Sequence, residues 1–269
     1  MNQELQELRT QLVQAHERVF DGLLDSVAGL EQAAWSTRTG CPGWSVHDQL
    51  AHVIGIERAM LGDDPDDVDV PDLPHLRNDF GRAVEVAVQA RRVRSSDDLL
   101  EEARETFARR LAALQNLDPA ALQGPLDGAA GMRMKGSQML RTRVFDMVSH
   151  EHDIRRALGR PGDVTGPHVD IAVEQVLRAW AKLLPQRLHG GQVLEVVVEG
   201  RDPVRIDLSD GQLHRGGQGP DPTATLHLDV SGLLALAGGR TDAPEGDELR
   251  LEGDPQLGAE VLRAATITP

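Results

Sequence analysis

The sequence predicts a two-domain α + α/β fold: an all-α bundle over residues 1–163, then a small mixed α/β domain over residues 168–269. Three observations carry this expectation. Up to residue 158, apolar side chains recur every three or four positions, the spacing of helices with one buried face. From residue 193 onward, short β-branched runs alternate with turn residues, the pattern of strands. Between the two regimes, Gly159-Arg160-Pro161-Gly162 breaks the helical periodicity.

Taken in order, Leu5, Leu8, Leu12, Val19, Leu23, Leu24, Val27 and Leu30 predict a helix over 4–33, softened at Gly22 and Gly29. Residues 37–43 read as a loop. Ser45 and Asp48 form a capping box, in which each side chain reaches the other's backbone N–H. The helix it opens runs to about Leu61 and contains His52. Residues 62–74 are acidic and Pro-containing, an exposed loop. Further helices are expected over 76–94 and 95–117. A Gly- and Pro-rich loop follows over 118–135, then a helix over 136–158. The second domain should open with an amphipathic helix over 169–188. Strands are expected over 193–198 and 204–208, near Leu213, over 223–228 and over 248–252. A short apolar helix over 229–238 and a closing helix over 255–265 complete it.

The bulk properties exclude several function classes. The formal charge is −15, unsuited to nucleic acid or an anionic membrane surface. No apolar run reaches the roughly 20 residues of a membrane span. The single cysteine, Cys41, rules out an internal disulfide framework and fits a reducing compartment. No basic segment followed by an apolar core stands at the N-terminus, so a cytoplasmic protein is expected. Aromatic residues are only 3% of the chain, so the cores must be aliphatic. Its oligomeric state, monomer or homodimer, is left open.

The stretch from Arg143 to Leu158 carries an unusual polar face. At roughly 100° per residue, Asp146 and His150 stand one turn apart on the same side of a helix. Arg143 lies one turn before them, and Asp153 returns to nearly the same azimuth. A carboxylate and an imidazole at that spacing can reach one metal ion, but a third ligand must come from elsewhere. His52, in the apolar run Gln49-Leu50-Ala51-His52-Val53-Ile54, is the best donor. Bland readings stand beside this one. A lone histidine in an apolar helix is more often a satisfied core residue than a ligand, and Asp146 with His150 also fits an ordinary i,i+4 pair. Burying three such groups unpaired would cost a few kcal/mol each, which favours their meeting. His152 points away from His150. His16, His75, His168, His189, His214 and His227 have no spaced partners and read as surface or structural residues. Cys41, between Gly40 and Pro42-Gly43, reads as part of a structural loop rather than a nucleophile.

Two motifs carry a family resemblance. Cys41-Pro42-Gly43-Trp44-Ser45-Val46-His47-Asp48-Gln49-Leu50-Ala51-His52 resembles the start of the second helix in the mycothiol-dependent maleylpyruvate isomerase family. Phe145-Asp146-Met147-Val148-Ser149-His150-Glu151-His152-Asp153-Ile154-Arg155-Arg156 resembles that family's other signature. The C-terminal part is similar to the sterol-carrier-protein-like α/β domain of these proteins, with Leu-rich residues 229–236 closing in Ala237-Gly238-Gly239-Arg240. The resemblance implies a DinB-like four-helix bundle followed by that domain. It implies His52, Asp146 and His150 as ligands of a divalent metal, with Asp146 where the best-known member has Glu. Zn²⁺ is the expected ion, and Fe²⁺ or another divalent metal the alternative. It also implies a small thiol, mycothiol or similar, that adds to a small electrophilic substrate in an isomerase or S-transferase reaction. Arg240 and Arg143 are candidates for binding a carboxylate of substrate or cofactor, since a guanidinium pairs with one through two hydrogen bonds. Asp153 is a candidate for orienting a ligand imidazole or holding Arg143 or Arg156. The alternative implied function is a non-catalytic binder of a small molecule or lipid with a relict or structural metal site.

Overall fold

The computed structural model describes residues 2–188, 191–242 and 249–268. Within them the chain divides into two compact units, one reaching Ala172 and the other starting at Val173. The sequence reading set the change of class slightly earlier, across residues 163–168. The division falls inside a single helix, Pro167–Arg187, whose apolar face runs through both ends.

In the first unit, helices α1 (Asn2–Val27), α2 (Val46–Leu61), α4 (Ser96–Gln115) and α5 (Gly136–Ala157) form the expected four-helix bundle. Around the bundle α1 neighbours α4 and α5, and α2 neighbours α4 and α5. A fifth helix, α3 (Asp79–Arg91), lies against α2. Its close approach requires Gly55, where an added Cβ would stand 2.2 Å from the Ala87 methyl. The core is aliphatic as composition demanded, with Leu12, Leu23, Leu50, Ile54, Leu140 and Met147 at most 2% exposed.

Local signals fix the helix starts. Ser45 caps α2 in the predicted capping box with Asp48. Ser95 caps α4 through the Asp98 N–H, and Asn78 caps α3 through the Gly81 N–H. Cap competition explains why α3 starts three residues later than the periodicity suggests: Asn78 satisfies the first free N–H groups there. The first helix, expected to reach residue 33, ends at Val27, and residues 32–36 form a separate 3₁₀ turn that buries Trp35. The expected loop 118–135 contains a 3₁₀ turn, Pro119–Leu122, and a small hairpin of β1 (Pro125–Asp127) and β2 (Arg133–Lys135).

Helix α6 (Pro167–Arg187), which belongs to the second unit from Val173 onward, is followed by β3 (Val193–Val198), β4 (Val204–Asp207), β5 (Leu213–Arg215), β6 (Ala224–Leu228) and β7 (Leu249–Gly253). The described strands form a mixed sheet of order β5-β4-β3-β6-β7, in which β3 and β6 are parallel and the other pairs antiparallel. The alternation in β6 buries Ala224, Leu226 and Leu228. Helices α7 (Val230–Ala237), capped by Asp229, and α8 (Pro255–Ala264), capped by Asp254, complete the unit. Trp180 of α6 donates from its indole to the Ala265 carbonyl at 2.7 Å. Residue 248, the expected start of the last strand, and His189 lie outside the described residues. No described helix is long and apolar enough to cross a membrane.

Candidate metal centre

Helices α2 and α5 pack side by side and bring His52, Asp146 and His150 together, with one ligand atom of each within 4.8 Å of the others. His52 Nε2 stands 3.2 Å from Asp146 Oδ2, and His150 Nε2 3.6 Å from Asp146 Oδ1. The two imidazole centroids are 4.6 Å apart. Ligand atoms of one tetrahedral Zn²⁺ at about 2.1 Å stand roughly 3.4 Å apart, so these separations suit a common ion. The side chains of His52 and His150 are 6% exposed and that of Asp146 is 29%, so the site opens over the carboxylate.

Each donor is held in a suitable state. Burial presses the His52 imidazole down to about 4, against the pull of Asp146, so at neutral pH it keeps a free lone pair. Burial alone would raise the Asp146 carboxyl. The Arg143 guanidinium and the two imidazoles overcome it and hold the group well below the usual carboxylate range. His150 Nδ1 hydrogen-bonds Gln49 Oε1 and lies 3.5 Å from Asp153 Oδ2. Gln49 is itself held through its amide N–H by Thr39 Oγ1 at 2.7 Å. Partners on Nδ1 turn Nε2 toward Asp146, the usual way a protein orients a ligand imidazole. The donor set, its spacing and this orientation fit a divalent metal.

Trp44 walls one side. Its ring lies 4.9 Å from the His52 ring and 5.7 Å from the His150 ring. The indole N–H donates to Glu85 Oε2 at 2.9 Å, and Glu85 also pairs with His75 and Arg92. Arg92 in turn binds Asp48, the capping residue of α2. Cys41 packs beside Trp44 with Ile56, Val84 and Val88.

Behind the triad runs a buried row of alternating charge. Arg110 Nε donates to Glu57 Oε2 at 2.9 Å, and Arg143 Nε to Glu57 Oε1 at 2.8 Å. Arg143 Nη1 donates to Asp146 Oδ2 at 2.7 Å. Burial would raise the Glu57 carboxyl, but the two guanidiniums hold it below its ordinary range. Glu57, Gln49 and Trp44 were not singled out as site residues from the sequence. The only signal for Glu57 was a carboxylate in an otherwise apolar turn, Val53-Ile54-Gly55-Ile56-Glu57.

The other candidates lie as follows. Arg143 is buried and engaged with Glu57 and Asp146. Asp153 stands beside His150 and Gln49. Arg240, in the second unit, folds back so that Nη1 donates to the Gly238 carbonyl at 2.9 Å. His152 faces away from the triad, against Gly162 and the Asp163 carbonyl. His16 is fully buried with its ring on the Leu12 carbonyl.

Comparison with known proteins agrees with this geometry. The family model described as mycothiol maleylpyruvate isomerase N-terminal domain matches residues 16–155, and that of the SCP-2 sterol transfer family matches residues 173–265. Crystal structures of the mycothiol-dependent maleylpyruvate isomerase and of a point mutant of it share the fold. Each is 16% identical with a TM-score of 0.56, over 91% of this chain and 96% of the other. No curated protein matches the sequence significantly. The bundle that carries the triad spans the first match, and the chain belongs to the mycothiol maleylpyruvate isomerase N-terminal domain family, here joined to an SCP-2 domain.

Proposed function

We propose that the protein is a divalent-metal- and thiol-dependent isomerase or S-transferase that acts on a small electrophile, with mycothiol or a similar thiol as co-substrate. The convergence of His52, Asp146 and His150 from two helices carries this reading. Membership of the family and the activity in the related structures' names support it. A divalent metal held by the three residues, Zn²⁺ first and Fe²⁺ as the alternative, would supply a Lewis acid that favours the thiolate of a bound thiol.

The chain's own residues do the rest. His52, kept neutral by burial, lends a lone pair. Asp146, kept ionised by Arg143, lends an anionic oxygen at the open edge of the site. Trp44, tied to Glu85, excludes water from the faces of both imidazoles. The engagement of Arg143 with two carboxylates supports an orienting role for it, and Arg240 is then the proposed group for a substrate or cofactor carboxylate. A thiol and an electrophile are the only partners this needs, and the reaction suits a cytoplasmic protein.

The test is elemental analysis of purified protein, then thermal shifts and conjugation assays over a panel of thiols. About one metal ion per chain is expected in the wild type, with loss of both metal and thiol conjugation in His52→Ala and Asp146→Ala. A wild-type protein without stoichiometric metal refutes the site. The SCP-2 match favours a second reading, a carrier of a small molecule or lipid. Copurification of a stoichiometric apolar ligand with no metal would establish it instead.

A further inference from the structure

Glu57 is completely buried and anchors the charge row that ends on Asp146. We infer that Glu57 is a positioning residue for the metal centre: it fixes Arg143, whose hydrogen bond to Oδ2 holds the Asp146 carboxylate in place before the two imidazoles. The inference rests on the metal reading above.

The geometry has few free variables. Arg143 is 3% exposed, with Nε on Glu57 Oε1 and Nη1 on Asp146 Oδ2. A guanidinium is a rigid planar fork, so fixing two of its nitrogens on two carboxylates fixes its plane. Glu57 cannot follow a moving Arg143, because its other oxygen is held by Arg110 of α4. The carboxylate of Asp146 is therefore gripped through one oxygen by a short, charge-assisted hydrogen bond. The same Oδ2 lies 3.2 Å from His52 Nε2 and Oδ1 lies 3.6 Å from His150 Nε2, so the gripped carboxylate faces both imidazoles. A carboxylate gripped in this way is held at one orientation toward the imidazoles. Released from Arg143, the carboxylate would be free to turn, and both the affinity for an ion shared with the imidazoles and its coordination number would change.

A purely structural Glu57 would only hold the helices together, so the experiment separates the two roles. Full-length wild type, Glu57→Gln and Arg143→Lys are stripped of metal and titrated with Zn²⁺ against a chelator. They are then loaded with Co²⁺, whose visible absorption is strong at four-coordinate sites and weak at higher coordination numbers. Thermal unfolding of the metal-free proteins is recorded alongside. The expected result for Glu57→Gln is a 10–100-fold loss of Zn²⁺ affinity, the usual size for a residue that orients ligands, with a weakened Co²⁺ spectrum. Arg143→Lys should show the same spectral change, since an ammonium cannot span both carboxylates, and it serves if Glu57→Gln fails to fold. A destabilised metal-free protein with wild-type Zn²⁺ affinity and Co²⁺ spectrum overturns the inference. A wild type that binds neither ion overturns the metal reading and this inference with it. A wild type that binds metal and shows the expected variant effects, but conjugates no thiol, overturns only the proposed activity.

Discussion

Replacing Glu151 with Gln should make the protein more stable at alkaline pH and leave it nearly unchanged in acid. Glu151 lies on α5, is fully buried, and packs its carboxyl group against Gly22 of α1, where an added Cβ would stand 2.7 Å away. Burial pushes its pKa up from 4.5 to about 7, despite a 2.9 Å hydrogen bond from Arg155 Nε. Its second oxygen has no hydrogen-bond partner among the described residues, as suits a group that is readily protonated. A carboxyl whose folded pKa is raised contributes stability that is complete below the unfolded value and lost as the pH rises through the folded one. The span from 4.5 to about 7 corresponds to about 3 kcal/mol, at about 1.4 kcal/mol per pH unit. The stability difference between Glu151→Gln and wild type should therefore grow by that order between pH 4.5 and pH 8.5. Urea unfolding of both proteins across this range, followed by far-UV circular dichroism, measures it. Histidines pressed down by burial, such as His16 at about 4, lose stability in the opposite direction, as the pH falls below 6.5. They act equally in both proteins and drop out of the difference. A pH-independent gap between variant and wild type would refute the assignment of a strained carboxyl to position 151.

Three further outcomes are expected. Gly55→Ala should destabilise the bundle by about 1–3 kcal/mol in chemical denaturation, because its methyl group would meet Ala87 at 2.2 Å and force α3 from α2. Ser45→Ala should cost about 1 kcal/mol by the same measurement, through loss of the cap on the helix that carries His52. Arg240→Ala should raise KM for a carboxylate-bearing electrophile about 10–100-fold with little change in kcat, the size of a lost charged hydrogen bond. An unchanged KM would exclude Arg240 from carboxylate binding.

What the sequence showed, and what it hid, follows from the range of the interactions involved. The capping box at Ser45 and Asp48 is complete within four residues, and α2 starts where it says. The pairing of Asp146 with His150 is equally local, one turn of one helix. The strands β3 and β6 show themselves by their own alternation. The hairpin of β1 and β2 was hidden because each strand has three residues, none of them fully buried, and no apolar period to read. Gln49 is 101 residues from His150, and Glu57 lies 53 and 86 residues from its two arginines. Their roles exist only once α2, α4 and α5 pack, so no spacing in the chain announces them. His52 was legible as an oddity in an apolar run, but what it faces comes from α5.

The row from Arg110 through Glu57 and Arg143 to Asp146 alternates in sign with every step and lies almost wholly out of water. Such a row has no independent members. Deleting any one leaves a neighbour ionised without its counter-charge, which costs about 3–5 kcal/mol, whereas replacing a matched set with apolar groups can cost nothing. Divergence at positions 57, 110, 143 and 146 should thus proceed by joint replacement, with single changes purged. A library that randomises the four together should recover folded apolar quartets, without the metal centre, that one-at-a-time mutagenesis never reaches.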